Sequence, residues 1–266
     1  MTIDAVVYIS SVANPRKHSR KIECLESFAD GVKNSGGNVV VEWDHKYTPS
    51  RLAVMLGWAT TNTGGPNIAL RKQIIAEQQR QGLKTMCIDA SCWKYLDDQG
   101  TYLRYSIGGP FYDRAEYANY NSDATKWNEI RNAIDVPMVE ELVIKPSGHV
   151  LICMQRDGGF AMKTLDPIRW LENKIKLITE FTKRPIVVRP HPGAYRVQDF
   201  RKFRNIPKVT VVDPTKSSLL QDLQNAHAAV FFNSSASVAA VCANIPVFVD
   251  DQSCVRECLE SKAKFS

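Results

Sequence analysis

Three short segments gather residue types that bind anions. In residues 228–240 an apolar run passes directly into Asn233, Ser234, Ser235 and Ser237 and then into a helical pattern. Backbone N–H groups at a helix start lack partners, the helix dipole favours negative charge there, and serine hydroxyls add donors without bulk. A phosphate or diphosphate suits such a bed, although the same residues also make an ordinary N-cap. In residues 187–193, Arg189 offers a planar guanidinium for a phosphate or carboxylate, and Pro190 and Pro192 fix the backbone around His191. In residues 155–160, Arg156 can neutralise charge on a departing phosphate, while Gly158 and Gly159 let a ligand come close to the backbone.

What must position these segments is a parallel sheet. Short β-branched runs alternate with longer amphipathic stretches along the whole chain, the pattern of repeated βα units. In the first half, strands are predicted at 5–9, 38–43, 53–58 and 83–89, with helices at 21–33 and 66–81. Gly36 and Gly37 stop the first helix, and Pro66 starts the second. In the second half, strands are predicted at 149–154, 185–189, 209–212, 228–232 and 246–249, with helices at 166–182, 217–225 and 234–243. Residues 145–148, Lys-Pro-Ser-Gly, read as a hinge, which gives two Rossmann-like α/β domains over 1–145 and 146–266. Each of the three anion-binding segments then follows a strand of one sheet, so all converge on the edge where such sheets hold ligands.

Bulk properties narrow the class. A chain of 266 residues can bury two cores without disulfides, and seven cysteines, several inside apolar runs, read as free thiols in a reducing cytoplasm. No Cys-x-x-Cys pair occurs and the five histidines are scattered, so no metal site is expected. The absence of a long apolar run argues against an export signal or a membrane span. A formal net charge of +6 permits attraction to phosphates without requiring it. Between 102 and 134, Tyr102, Tyr105, Phe111, Tyr112, Tyr117, Tyr120 and Trp127 sit among Gly, Asp and Asn, suited either to stacking on a ligand or to ordinary packing.

Taken together, Arg-Pro-His-Pro at 189–192, then Ser217, Leu219, Leu220, Asp222, Leu223 and Ala226, then Phe-Asn-Ser-Ser at 232–235, then Ile-Pro-Val-Phe-Val at 245–249, resemble the phage branch of capsule-synthesis-like glycosyltransferases of the GT-B fold. Gly57-Trp58, residues 69–72, the strand ending at Asp89 and residues 102–109 follow in the same family's order. The resemblance implies a donor and acceptor cleft between two Rossmann-like lobes. It further implies a metal-independent transfer with no cofactor beyond a nucleotide-sugar co-substrate, a UDP-sugar first among them. By the same analogy His191 contacts the nucleotide, and Ser234 and Ser235 contact its phosphate. Three departures stand out: residues 239–246 lack the glutamate that binds ribose in many relatives, Asn244 replaces a glycine, and the chain ends soon after Cys258 where relatives continue into a tail.

An acceptor alcohol needs a base near neutral pH. In related enzymes an acidic residue of the first lobe supplies it, and Asp89 is the choice here, with Asp44 and Asp113 as alternatives. Phage members of the family commonly glycosylate hydroxymethylated pyrimidines in DNA. That acceptor would use Arg16, Lys17 and Arg20 on phosphates and Arg104 and Tyr105 near the base. A surface polysaccharide acceptor, or a nucleotide-sugar-binding protein without catalysis, are the alternatives.

Overall fold

The computed structural model describes residues 2–13, 19–59, 64–96, 102–110, 115–116, 122–136, 138–139, 141, 144–156, 160–162, 165–194, 197–250 and 253–256. The chain divides into two compact units, Met1–Asp123 and Ala124–Ser266. Residues 145–148, expected as a hinge, lie within the second unit. There Arg184 donates to the carbonyls of Lys145, Pro146 and Gly148.

The first unit is a five-stranded sheet ordered β2-β1-β3-β4-β5. Strands β1 (Ala5–Tyr8), β2 (Val39–Glu42), β3 (Leu52–Leu56) and β4 (Lys84–Ala90) are parallel. The edge strand β5 (Leu103–Ile107) runs antiparallel to β4. All four residues of β1 are buried because helices cover both faces of the sheet. Alternation divides the strand: Val7 packs with Leu25 and Ala29 of α1 (Ser19–Asn34), whereas Val6 and Tyr8 pack with Leu70 and Ile74 of α2 (Pro66–Arg80). The expected stop after α1 is present, with Gly36 at φ +81° and the Gly37 N–H donating to the Val32 carbonyl.

The second unit is an all-parallel sheet ordered β10-β9-β6-β7-β8. Its strands are β6 (His149–Cys153), β7 (Ile186–Arg189), β8 (Val209–Val211), β9 (Ala226–Phe231) and β10 (Val247–Val249). Helices α3 (Thr125–Ala133), α4 (Pro167–Phe181), α5 (Leu219–Gln224) and α6 (Ala236–Cys242) accompany it, with a 3-10 stretch at Val197–Asn205. Trp170 and Leu171 of α4 pack with Ile152, Val188, Phe203 and Phe232, and the Trp170 and Phe232 rings meet edge to face at 6.1 Å.

Strand order fixes where a ligand can bind. From central β6 the chain builds outward through β7 and β8, then returns to the other side of β6 to build β9 and β10. Connections therefore diverge between β6 and β9, opening a crevice beyond their carboxyl ends. The corresponding point in the first sheet lies between β1 and β3. Among the described residues, no helix is long and apolar enough to cross a membrane. Strand β5, helix α3 and the 3-10 stretch were not foreseen from sequence.

Candidate functional site

The carboxyl ends of β7, β6 and β9 are neighbours, and each carries one of the anion-binding segments. Beyond β7, His191 is half-buried and its Nδ1 accepts the Gly193 N–H at 2.9 Å. Its backbone carbonyl accepts the Ala194 N–H at 2.9 Å, closing a tight turn. With Nδ1 used as an acceptor, the proton of the neutral ring resides on Nε2. Arg156, beyond β6, reaches the same turn: its Nε and the imidazole Cε1 of His191 each lie 3.6 Å from the point where a Cβ on residue 193 would stand. A guanidinium and an imidazole thus flank the turn at Gly193.

Beyond β9, Asn233, Ser234 and Ser235 lead into α6, and all three are partly exposed. The Ser234 hydroxyl accepts the Ala236 N–H at 3.3 Å, and its carbonyl accepts the Ser237 N–H at 3.0 Å. Among the described residues, the N–H groups of Ser234 and Ser235 have no acceptor. These two amides keep the capacity for an anion that the sequence led us to expect. Ser237 does not: it is fully buried and its hydroxyl donates to the Ser234 carbonyl at 2.7 Å, so it braces the turn from behind. With α6 only seven residues long, the local amides and hydroxyls matter more here than the helix dipole.

Arg189 also departs from expectation. Its side chain is only 9% exposed, and its guanidinium pairs with the equally buried Asp222 carboxylate. It further donates to the Ser217 hydroxyl at 3.0 Å and the Ser217 carbonyl at 2.9 Å. The geometry commits this cation to holding the segment before α5 against β7 rather than to a ligand. Its register partner on β6 is Cys153, whose thiol burial pushes up to about 12.

In the first unit, Asp89 sits near the end of β4 with its side chain 40% exposed. Its Oδ1 accepts the Ala90 N–H at 2.8 Å, and its Oδ2 lies 3.4 Å from the guanidinium of Arg104, its register partner on β5. Tyr105, next along β5, is 59% exposed. Asp44 is exposed after β2, and its N–H donates to Glu42. Arg20 is exposed near the start of α1. Asp113, Gly158, Gly159, Arg16, Lys17 and the aromatics Phe111, Tyr112, Tyr117 and Tyr120 lie outside the described residues.

Three side chains, those of Glu42, Arg71 and Gln155, escaped the sequence reading. Glu42 is a buried carboxylate at the end of β2. Arg71 on α2 is buried at the β1/β3 divergence, giving Nε and Nη2 to the Ser11 carbonyl and Nη1 to the Trp58 carbonyl. Burial lowers its pKa. Among the described residues, Gln155 and Asn233 each have a buried amide oxygen with no hydrogen-bond partner. A polar residue beside a predicted strand end is the one cue to such groups, and it is shared by many loops. Among the described residues, no three His, Cys, Asp or Glu side chains are grouped to hold a metal.

No protein-family model matches the chain, and no curated protein matches it in sequence. Among solved structures, the Thermosulfurimonas dismutans KpsC beta Kdo 2,4 transferase is similar, with a TM-score of 0.53 at 11% identity over 94% of this chain and 80% of that one. The KpsC beta Kdo 2,7 transferase from the same organism gives 0.54 at 12% identity over 94% and 79%. The fold is GT-B-like. Each lobe is a Rossmann-like α/β unit, and the switch point of the second carries the Arg156, His191 and serine groups.

Proposed function

We propose that the chain is a glycosyltransferase that moves a sugar from a nucleotide sugar, UDP-linked in the first instance, to an acceptor hydroxyl without a metal ion. The observation carrying this reading is the convergence of Arg156, His191 and the Ser234 and Ser235 amides on adjacent strand ends at the β6/β9 switch point. When the bond between the sugar and the phosphate breaks, negative charge grows on the leaving nucleotide. Preorganised donors aimed at that charge lower the barrier. Arg156 supplies a cation, His191 an Nε2–H and the serine turn its amides, while Gly158 and Gly159 would admit the phosphates. The GT-B-like fold shared with two Kdo transferases supports the reaction class.

On the acceptor side, we assign the base to Asp89. A partly exposed carboxylate at the end of β4 is accessible to a hydroxyl, and Arg104 holds its orientation. In an inverting transfer the acceptor oxygen bonds to the anomeric carbon, the phosphate oxygen leaves with its electron pair, and the acceptor proton passes to the carboxylate. For the acceptor itself we propose a 5-hydroxymethylated pyrimidine of DNA, in the cytoplasm. The exposed Tyr105 beside Arg104 offers a stacking face next to a cation, and the net charge of +6 favours a polyanion.

Two measurements test the reaction. Calorimetric titration with UDP, CMP, GDP and TDP should show binding of one nucleotide, and His191→Ala combined with Ser234→Ala and Ser235→Ala should weaken it by roughly tenfold or more. Asp89→Asn should abolish sugar transfer while leaving nucleotide affinity unchanged. An active Asp89→Asn enzyme moves the base elsewhere, with Asp44 and Asp113 next in line.

A further inference from the structure

Gln155 and Asn233 each stand two residues beyond the last paired position of the β6/β9 ladder, Cys153 opposite Phe231. They leave the sheet together, on the two strands that flank the switch point. Asn233 has a fixed amide orientation, since its Nδ2 donates to the Ala161 carbonyl at 3.2 Å. That bond leaves Oδ1 as a buried atom without a donor among the described residues, and Oε1 of Gln155 is in the same condition. Buried carbonyl oxygens are ordinarily satisfied, because each one taken from water and left without a donor destabilises the fold. Two of them, just beyond the neighbouring ends of β6 and β9, form an unfulfilled demand for hydrogen-bond donors.

We infer that Gln155 and Asn233 form a paired acceptor subsite that receives O–H or N–H groups of the donor substrate at the β6/β9 switch point. The inference rests on the donor-site reading above and adds to it a division of labour. Arg156, His191 and the serine amides present positive or donor groups and suit the phosphates. The two amide oxygens repel phosphate oxygens and suit the part of the substrate that donates, namely the hydroxyls of ribose or the transferred sugar, or the N–H edge of the base. Specificity of this kind is strong, because an analogue that lacks the donating group leaves both oxygens unsatisfied.

The subsite predicts opposite signs for stability and binding. Gln155→Met and Asn233→Leu replace a buried oxygen by an apolar group of similar size. For Gln155→Met, removing an unsatisfied acceptor should leave the melting temperature of the ligand-free protein unchanged or raised, whereas a purely structural amide would lower it on substitution; Asn233→Leu also gives up the bond to the Ala161 carbonyl, so binding is its readout. The same variants should bind the preferred nucleotide about tenfold more weakly. Inorganic pyrophosphate, which carries acceptors almost exclusively, should bind wild type and variants alike. Ribose 5-phosphate separates the sources of the donor group. A loss of its affinity in the variants assigns the subsite to hydroxyls, and a loss confined to CMP or UMP assigns it to the base. Equal nucleotide affinity in wild type and both variants overturns the inference and leaves the donor site standing. Wild-type protein that binds no nucleotide and no pyrophosphate overturns the donor site and the subsite with it. Gln155→Met is the more conservative change because no described hydrogen bond is lost, so a folding defect confined to Asn233→Leu leaves the test intact.

Discussion

One arginine shows how a single side chain can look like a ligand group and be a structural one. Arg189 stands at the end of a strand beside a histidine, which is where a phosphate-binding cation belongs, yet its partner Asp222 lies 33 residues further along the chain. Nothing in the local sequence reveals that pairing. The consequence is a sharp stability prediction. Both side chains are 9% exposed, so removing the carboxylate strands a guanidinium away from water. Breaking a buried pair from one side costs about 3–5 kcal/mol. Asp222→Ala should therefore lower the unfolding free energy by that amount in urea denaturation, whereas a ligand-binding arginine with a solvent-screened partner would show ~1 kcal/mol or less. Arg156 differs in being exposed, at the Gly193 turn next to His191.

At the scale of elements, local chemistry decides most of the outcome. Helix α4 begins at Pro167, and Asp166 caps it by accepting the N–H groups of Ile168 at 2.8 Å and Arg169 at 3.0 Å. Asp166→Ala should cost about 1 kcal/mol, read as a lowered denaturation midpoint with an unchanged slope, and a null effect would mean that water replaces the cap. Asn244 adopts φ +49° after α6, the left-handed turn expected where relatives carry glycine. The nine parallel strands were legible for a related reason. A strand buried on both faces must be a short β-branched run, and runs such as Ala5–Tyr8 and Ile186–Arg189 have no other reading. Strand β5 was not legible. Its residues Leu103–Ile107 show no clean alternation of burial, and it is β4 alongside them, in an antiparallel register, that brings Arg104 opposite Asp89. Helix α3 escaped as well, having no fully buried residue to give it a stripe.

At the scale of the whole molecule, the site depends on strand order, which periodicity does not encode. The sequence places three polar segments after three strands, but only the order β10-β9-β6-β7-β8 makes those strands neighbours and locates the divergence between β6 and β9. The buried amide oxygens of Gln155 and Asn233 acquire their meaning from the same order. Charge acts at this scale too. A formal net charge of +6, from 34 Lys and Arg against 28 Asp and Glu, is a modest excess, so a DNA acceptor requires the cations to be concentrated where the duplex lies. Each phosphate neutralised releases condensed counterion, and the logarithm of the association constant falls linearly with the logarithm of salt concentration, with a slope of about −0.9 per contact. Titrating hydroxymethylated duplex DNA at several salt concentrations should then give a slope of roughly −3 or steeper, which Arg20→Ala would make shallower by about one. A flat salt dependence, together with transfer to a neutral glycan, would keep the enzyme and its donor site but replace the acceptor, because the groups that hold the leaving nucleotide belong to the second lobe alone.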